Sequence, residues 1–343
     1  MLTMKDVALH VGVSVSAVSL VLSGRGSGRV NAETAARIQA VADELGYVPN
    51  HLARSLKTKQ SRTIGVVSDQ VATVPFSGQM LAGAQQAAWD AGFMLMLIDT
   101  SGNEAVQTPA VQSLLQRNIE ALIVATNFHQ LVDVPFVPAK LPVVILDGRP
   151  EREGDATVDF VVPDEERGAY TSTKLLIDAG HRRIGFCNVA AYPIASRLRE
   201  RGYAGALAEA GIERDPALTV VAEDAATRHA IAPAEALLDR PDRPTAVFAF
   251  SDQTAMGFFH VARRLGLAIP HDLSITGFDN QEFVDDALDP GLTTVQLPHR
   301  QMGEWAVNRV IERLDGTLDG VGREGCLMPC APVIRHSIGP PPT

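Results

Sequence analysis

Residues 13–24 read VSVSAVSLVLSG. The stretch is apolar, carries serines and has few charges beside it. It could serve as a secretory signal core, an alternating strand, or one helix of a larger unit. A signal needs a basic leader, an unbroken apolar core and a small-residue cleavage site. Here Lys5 is followed at once by Asp6, and His10, Gly12 and the serines interrupt the apolar run. Strand alternation holds from Val13 to Ser16 and fails at Ala17-Val18 and at Leu20-Val21-Leu22.

A helical reading accounts for more residues. Thr3 can cap a first helix, with Asp6 three positions on, and Val7, Ala8 and Val11 then share one face. Gly12 breaks the chain. Ser14 can cap a second helix in which Val18, Val21 and Leu22 recur at i, i+3, i+4. Two such stripes packed across a short turn make a helix-turn-helix, with Val15, Ser16, Ser19 and Leu20 facing outward. After the loop SGRGSGR at 23–29, Asn31 opens a third helix. Ala35, Ile38, Val41, Ala42 and Leu45 form its apolar face, and Gly46 ends it.

A generic three-helix bundle fits this pattern as well. The charge balance favours a head that touches nucleic acid. Residues 1–62 hold eight Lys/Arg and four acids, a net +4, while the whole chain of 343 residues carries −10. The remainder therefore carries −14. A basic head on an acidic body places the polyanion at the head alone.

From Ser61 onward, apolar runs alternate with helical stretches. The runs are TIGVVS, FMLMLID, ALIVAT, PVVILD, RIGFCN, TAVFAF and DLSITGFD. Helical stretches fall near 81–91, 110–117, 165–179, 196–210 and 254–265. Repeated βα units predict parallel sheets covered on both faces, with a ligand at the carboxyl ends of the strands.

No apolar run approaches the ~18 residues of a membrane span. Cys187, Cys326 and Cys330 are too few for a disulfide framework and lack zinc-like spacing, so ordinary reduced thiols in a cytoplasmic protein are expected. No metal and no cofactor are expected. The first body strand is followed by IGVVSDQVATVPFSG, which offers no glycine-rich phosphate cradle, and no P-loop is present. The histidines show no evident pairing with a nucleophile. These features argue against an enzyme. A free periplasmic binding protein would need the signal that the N-terminal residues do not fit.

The segments TMKDVALHVGVSVSAVSLVLSG, RVNAETAARIQAVADELGYVPNHLARSLKTKQSRTIGVV, PTAVFAFSDQTAMGF, IPHDLSITGFDN and LTTVQLPHRQMG resemble the lactose/galactose repressor (LacI/GalR) family of bacterial transcription regulators, over nearly the whole chain. The resemblance implies an all-α helix-turn-helix head at 1–48 and a hinge helix and linker at 49–61. It also implies an α/β periplasmic-binding-protein-like body at 62–343 made of two doubly wound parallel-sheet subdomains. The first subdomain would comprise about 62–160 and 294–322, the second about 161–293 and 323–338. The implied partners are double-stranded operator DNA, a small effector of carbohydrate type and a second copy of the chain, with no membrane involved. The expected role is a repressor whose operator binding responds to the effector. No leucine heptads follow VIRHSIGPPPT, so a dimer is expected rather than a tetramer.

By the same resemblance, Val15, Ser16, Ala17, Ser19 and Leu20 read the major groove. Ser16 and Ser19 suit hydrogen bonds to DNA, and Val15 and Ala17 suit thymine methyls. Relatives often carry arginine where this chain has Leu20, so a guanine contact is expected to be missing. The loop looks longer than in relatives, and Arg25 and Arg29 could contact phosphate from it; a merely solvated loop is the alternative. In the hinge, Asn50 lies near the helix start, Ala53 allows paired helices to approach, and Leu56 matches the leucine that wedges into the minor groove. Asp147, Arg199 and Asp279 match effector-contacting positions, with Asp69, Phe76 and Ser251 as further candidates. The stretch Glu223-Asp224-Ala225 has alanine where relatives place a stacking aromatic; Tyr192 or Phe160 could substitute.

Overall fold

The computed structural model describes residues 2–24, 26–47, 60–74, 77–134, 136–151, 158–285 and 287–342. Arg25, Asn50, Ala53, Leu56 and Phe76, together with the expected hinge helix, lie outside the described residues. The chain forms two compact units, Met1–Ser61 and Arg62–Thr343.

The first unit is built on three helices, α1 (Met4–Val11), α2 (Val15–Leu22) and α3 (Ala32–Glu44). Each start is set by local chemistry. The Thr3 backbone N–H and hydroxyl both donate to Asp6 Oδ2 at 2.7 Å. Ser14 Oγ accepts from the Ala17 N–H at 3.2 Å, and Asn31 Oδ1 from the Thr34 N–H at 2.7 Å. Side-chain caps of this kind satisfy amides that have no partner within the helix. Gly12, at φ 76°, ends α1 in the left-handed conformation that glycine adopts without strain. Val7, Ala8, Val11, Val18, Ile38, Ala42 and Tyr47 are buried together as one small core. Arg37 Nη2 donates to Val11 O at 3.1 Å and ties α3 to the end of α1.

The second unit has two lobes. In the first lobe, six parallel strands run in the order β11-β5-β4-β3-β1-β2. These are β1 (Thr63–Ser68), β2 (Met94–Asp99), β3 (Ala121–Val132), β4 (Val143–Pro150), β5 (Asp159–Pro163) and β11 (Gly325–Met328). One face is covered by the helices Gly78–Asp90 and His299–Leu314, whose Met80, Ala84, Met302, Ala306 and Val310 meet Ile64, Ile123 and Val144. The other face packs Val111 and Leu114 of the helix Glu104–Leu115 on Leu122, Val124 and Ile145. The two covering helices touch backbone to backbone. A Cβ at Gly303 would lie 2.0 Å from Met80 O, and one at Gly83 would lie 2.0 Å from Arg300 O.

In the second lobe, the parallel order is β7-β6-β8-β9, formed by β6 (Ile184–Val189), β7 (Thr219–Ala222), β8 (Ala246–Ala249) and β9 (Ser274–Thr276). The helices Thr227–Leu238 and Asp252–Arg264 cover one face, and Glu165–Asp178 and Pro193–Glu209 the other. A short antiparallel pair, β10 (Thr294–Gln296) with β12 (Ala331–Val333), forms its own ladder and is joined to the end of β9 and to Asp279 by the isolated bridges Thr276–Thr293 and Asp279–Gln296.

The strands expected from the longer apolar runs are present. The boundary between lobes needs correction. Residues 325–328, expected in the second lobe, pair in parallel with all but the first residue of β5 and extend the first sheet; β5 itself, expected to straddle the boundary, belongs wholly to that sheet. The edge of β5 offered free backbone groups, and a strand of only four residues satisfied them. So short a segment has no periodicity to betray it. Among the described residues, no single helix is long and apolar enough to cross a membrane.

Candidate functional site

Two features stand out, one in each unit. In the head, α1 and α2 are bent 108° from one another across their turn, within the ~90–120° of helix-turn-helix pairs. Val15 and Ser16 are exposed on α2, and Ser19 and Leu20 are half-buried. Arg29 is exposed in the following loop. Ala17 departs from expectation. It is half-buried and packs against the head's core, because on a helix it falls on the same side as Val18 and Val21.

In the body, a cleft of about 260 Å³ is lined from both lobes, by Asn127, Phe128, His129 and Asp147 of the first and by Glu165, Tyr192, Arg199, Phe250, Gln253 and Asp279 among others. Arg199 is its centre. The side chain is 3% exposed, and its guanidinium lies between the rings of Phe250 and Phe278, 4.2 and 3.7 Å from their centroids. Its Nε donates to Glu165 Oε2 at 2.6 Å, one Nη donates to Phe250 O, and the other reaches Asp279 Oδ1 at 3.5 Å. A planar cation stacked on aromatic faces and bonded at its edge is held in one orientation.

Asp279 and Asp147 both stand at positive φ, 107° and 64°, where non-glycine residues are strained. The surroundings of Asp279 over-determine that geometry. Its N–H donates to Val295 O at 2.8 Å, the Gln281 N–H donates to Asp252 Oδ2 at 2.7 Å, and Gln281 Nε2 donates to Asp279 Oδ2 at 2.9 Å. Burial raises the pKa of Asp279, and Arg199 holds it back down in part. Asp147 is 2% exposed, and its Oδ1 has no hydrogen-bond partner among the described residues. Burial and the neighbouring Glu165 carboxylate push its pKa well above the usual carboxylate range. His299 Nε2 lies 3.9 Å from its other oxygen. An aromatic wall completes the cleft: Tyr192 sits 4.9 Å from Phe128 and 6.0 Å from Phe250, centroid to centroid.

Residues 3–50 match the bacterial regulatory proteins of the lacI family, and residues 173–338 match the periplasmic binding protein-like domain. The chain is 33% identical over 317 residues to the HTH-type transcriptional repressor PurR of Photobacterium profundum, with 92% of each chain covered. It is 32% identical over 320 residues to the ribose operon repressor of Escherichia coli K12, covering 92% of this chain and 93% of that one. The solved complex of the transcriptional regulator CelR with cellobiose superimposes with a TM-score of 0.68 at 26% identity, over 98% of this chain and 100% of that one. The chain belongs to the lacI family. It is a transcriptional regulator and not an enzyme, with a DNA-binding head and an effector-binding body.

Within this lacI-family body, the expected effector residues divide. Asp147, Arg199 and Asp279 meet in the cleft, and Tyr192 supplies an aromatic face there. Asp69 lies instead in an adjoining recess of about 510 Å³ with Gln70, Asn127 and Gln130. Its carboxylate is occupied by the Asn127 N–H at 2.8 Å and by Gln130 Nε2. Ser251 is fully buried and caps the helix Asp252–Arg264, accepting from the Thr254 N–H at 3.1 Å; it does not line the cleft. Phe160 packs within the first lobe's core and against Gly325, so only Tyr192 of the two proposed substitutes faces the cleft. Glu165, Phe128, His129 and Phe250 line the cleft and were not anticipated. Glu165 carried the one available signal, an acid in the first turn of a helix after a strand, which reads equally as a favourable charge at the helix dipole.

Proposed function

We propose that this regulator is a homodimeric repressor. In this reading Val15, Ser16, Ser19 and Leu20 face operator bases, Arg29 faces phosphate, and Leu56 of the hinge wedges the operator centre. The division into head at 1–48, hinge at 49–61 and body from 62 belongs to the same reading. The effector is a neutral, hydroxyl-rich molecule of about one sugar ring, and its binding shifts the dimer between DNA-competent and incompetent arrangements.

The observation that carries the effector class is the charge in the cleft. Arg199 shares the cleft with the carboxylates of Glu165, Asp224 and Asp279, and with Asp147, which burial shifts toward its neutral form; its own charge is already engaged by Glu165 and Asp279. An anionic sugar acid or phosphate would meet repulsion there, whereas hydroxyls can donate to carboxylates and accept from the guanidinium. The aromatic rings suit the apolar face of a sugar. The volume lies below the ~300–1,000 Å³ typical of drug-sized ligands, which favours one ring. The carbohydrate reading is also in keeping with the ribose operon repressor and the CelR–cellobiose complex among the relatives. The dimer is supported by apolar surface at the edge of the first sheet, where Met94 and Leu97 are exposed on β2 and Trp89 on the helix beside it.

A thermal-shift panel of neutral pentoses and hexoses, sugar acids, sugar phosphates and purine bases tests the effector class. A ligand at 100 times its Kd stabilises the fold by about 2.7 kcal/mol. Stabilisation by neutral sugars, with operator binding changed by the same compounds, is expected. Stabilisation by acids, phosphates or bases alone overturns the reading.

A further inference from the structure

The parallel pairing of β3 with β4 breaks in the middle. Ala125 is opposite Leu146 and Gln130 is opposite Gly148, so residues 126–129 stand against Asp147 alone. This irregularity is pinned on both sides. Thr126 Oγ1 donates to Asp147 O at 2.7 Å, and the Asn127 N–H donates to Asp69 Oδ1 at 2.8 Å. A break in a strand pair re-aims side chains, and here Phe128 and His129 both line the effector cleft.

His129 is 2% exposed. Arg149, two residues beyond Asp147 on β4, donates its Nε–H to His129 Nε2 at 2.8 Å. A guanidinium has donors only, so Nε2 must be the acceptor, and the proton of the neutral ring sits on Nδ1. Burial and the positive charges of Arg149 and Arg199 drive the imidazole pKa down to about 3, which keeps the ring neutral in working buffers. His129 Nδ1 is buried and has no hydrogen-bond partner among the described residues. A buried donor in that state costs stability unless something accepts from it. The Arg149 bond ties β4 to β3 through Nε2 and leaves the Nδ1–H unused by the fold among the described residues.

We infer that His129 determines effector specificity by donating its Nδ1–H to an acceptor oxygen of the ligand, and that Arg149 is the positioning residue that fixes the tautomer. The inference rests on reading the cleft as the effector site. It adds a chemical requirement: the ligand carries an acceptor, hydroxyl or ring oxygen, on the side facing the first lobe. The unpartnered Asp147 Oδ1 on the facing strand suits a hydroxyl beside it, since a hydroxyl both donates and accepts.

Two measurements on the full chain decide this. The first needs no ligand. Nitrogen-15 spectra of the histidine rings should show His129 as a non-titrating Nδ1–H tautomer from about pH 5.5 to about 8, and Arg149→Met should give a mixture of tautomers. An Nε2–H ring or a titrating ring in the wild type overturns the inference. The second uses whichever neutral sugar or purine base stabilises the wild-type protein. His129→Phe, which keeps a ring but removes the donor, should weaken that ligand about tenfold or more, while His129→Asn, which keeps an N–H, should retain most of the affinity. Equal binding by His129→Phe and wild type overturns the inference. If only a base binds, the sugar reading falls, and the same pair of variants measured on that base still decides the role of His129.

Discussion

Arg313 grips the buried carboxylate of Asp159 with two parallel bonds, Nε to Oδ2 and Nη2 to Oδ1, each 2.9 Å long. The residues are 154 positions apart. Asp159 opens β5 with no exposed surface and also accepts from the Glu324 N–H at 3.0 Å, with Arg309 and Arg323 at 3.3 and 3.4 Å. One carboxylate thus joins β5, the end of the helix His299–Leu314 and the approach to β11. Asp159→Ala removes the carboxylate that Arg313, Arg309 and the Glu324 N–H share, while the arginines keep other acceptors, and a loss of about 1–3 kcal/mol is expected, read as a lower urea midpoint. Burial alone would raise the pKa of Asp159, but the bonds from Arg313 and Glu324 and the nearby arginine charges bring it below the usual value. For a lowered carboxylate pKa, the stabilisation is present above the unfolded value near ~3.9 and is lost as pH falls through the folded pKa. The stability gap between wild type and Asp159→Asn should therefore close in acid.

Asp69 should behave with the opposite sign. Burial, partly offset by bonds from Asn127 and Gln130, pushes its pKa up to about 6. A raised carboxylate pKa contributes stability that is full below the unfolded value and is lost as pH rises through about 6. Melting curves of wild type and Asp69→Asn should show the wild type gaining on the variant as pH falls from neutral to about 4. A gap independent of pH would assign Asp69 no such titration.

Arg199 holds two acids at once, so its replacement separates charge from geometry. Arg199→Lys keeps the charge but loses the planar fork and the stacking on Phe250 and Phe278. Effector affinity should drop by more than about tenfold, or ~1.4 kcal/mol, while operator binding without effector is retained. Arg199→Met, which leaves Glu165 and Asp279 buried without their cation, should cost about 3–5 kcal/mol of body stability. Calorimetric titration and chemical denaturation separate the two effects.

Gly303 lies where two helices meet without side chains between them. Gly303→Ala would place a methyl group 2.0 Å from Met80 O. The helices must then move apart, at a cost of at least about 1–3 kcal/mol. An unchanged melting temperature would show that the contact is looser than these distances imply.

Leu20 sits on the outer side of α2 and has no polar atom to offer a base. Leu20→Arg should add preference for a guanine at the contacted position, of about 1–3 kcal/mol. Binding to a set of half-sites that differ at single positions would show it. Uniform strengthening on every sequence would mean that the new arginine meets phosphate instead.

The sequence alone determined the head almost completely: three helix starts, the glycine stop and the apolar stripes. Caps at Thr3, Ser14 and Asn31 act over three residues, and helical stripes recur within one turn, so the forces that shape the head lie within the reading frame of a local pattern. The longer body strands were legible for the same reason. The resemblance further marked Asp147, Arg199 and Asp279, and the structure brings them together. Only tertiary structure decided which neighbours share their cleft. Ser251 and Phe250 are adjacent in the chain, yet one is spent on a helix cap and the other is stacked on Arg199. Glu165 meets Arg199 across 34 residues and Asp279 meets it across 80, and the break in β3 that turns His129 inward exists only through its pairing with β4. Contacts made across such separations depend on strand register and lobe packing, which no local run of residues encodes.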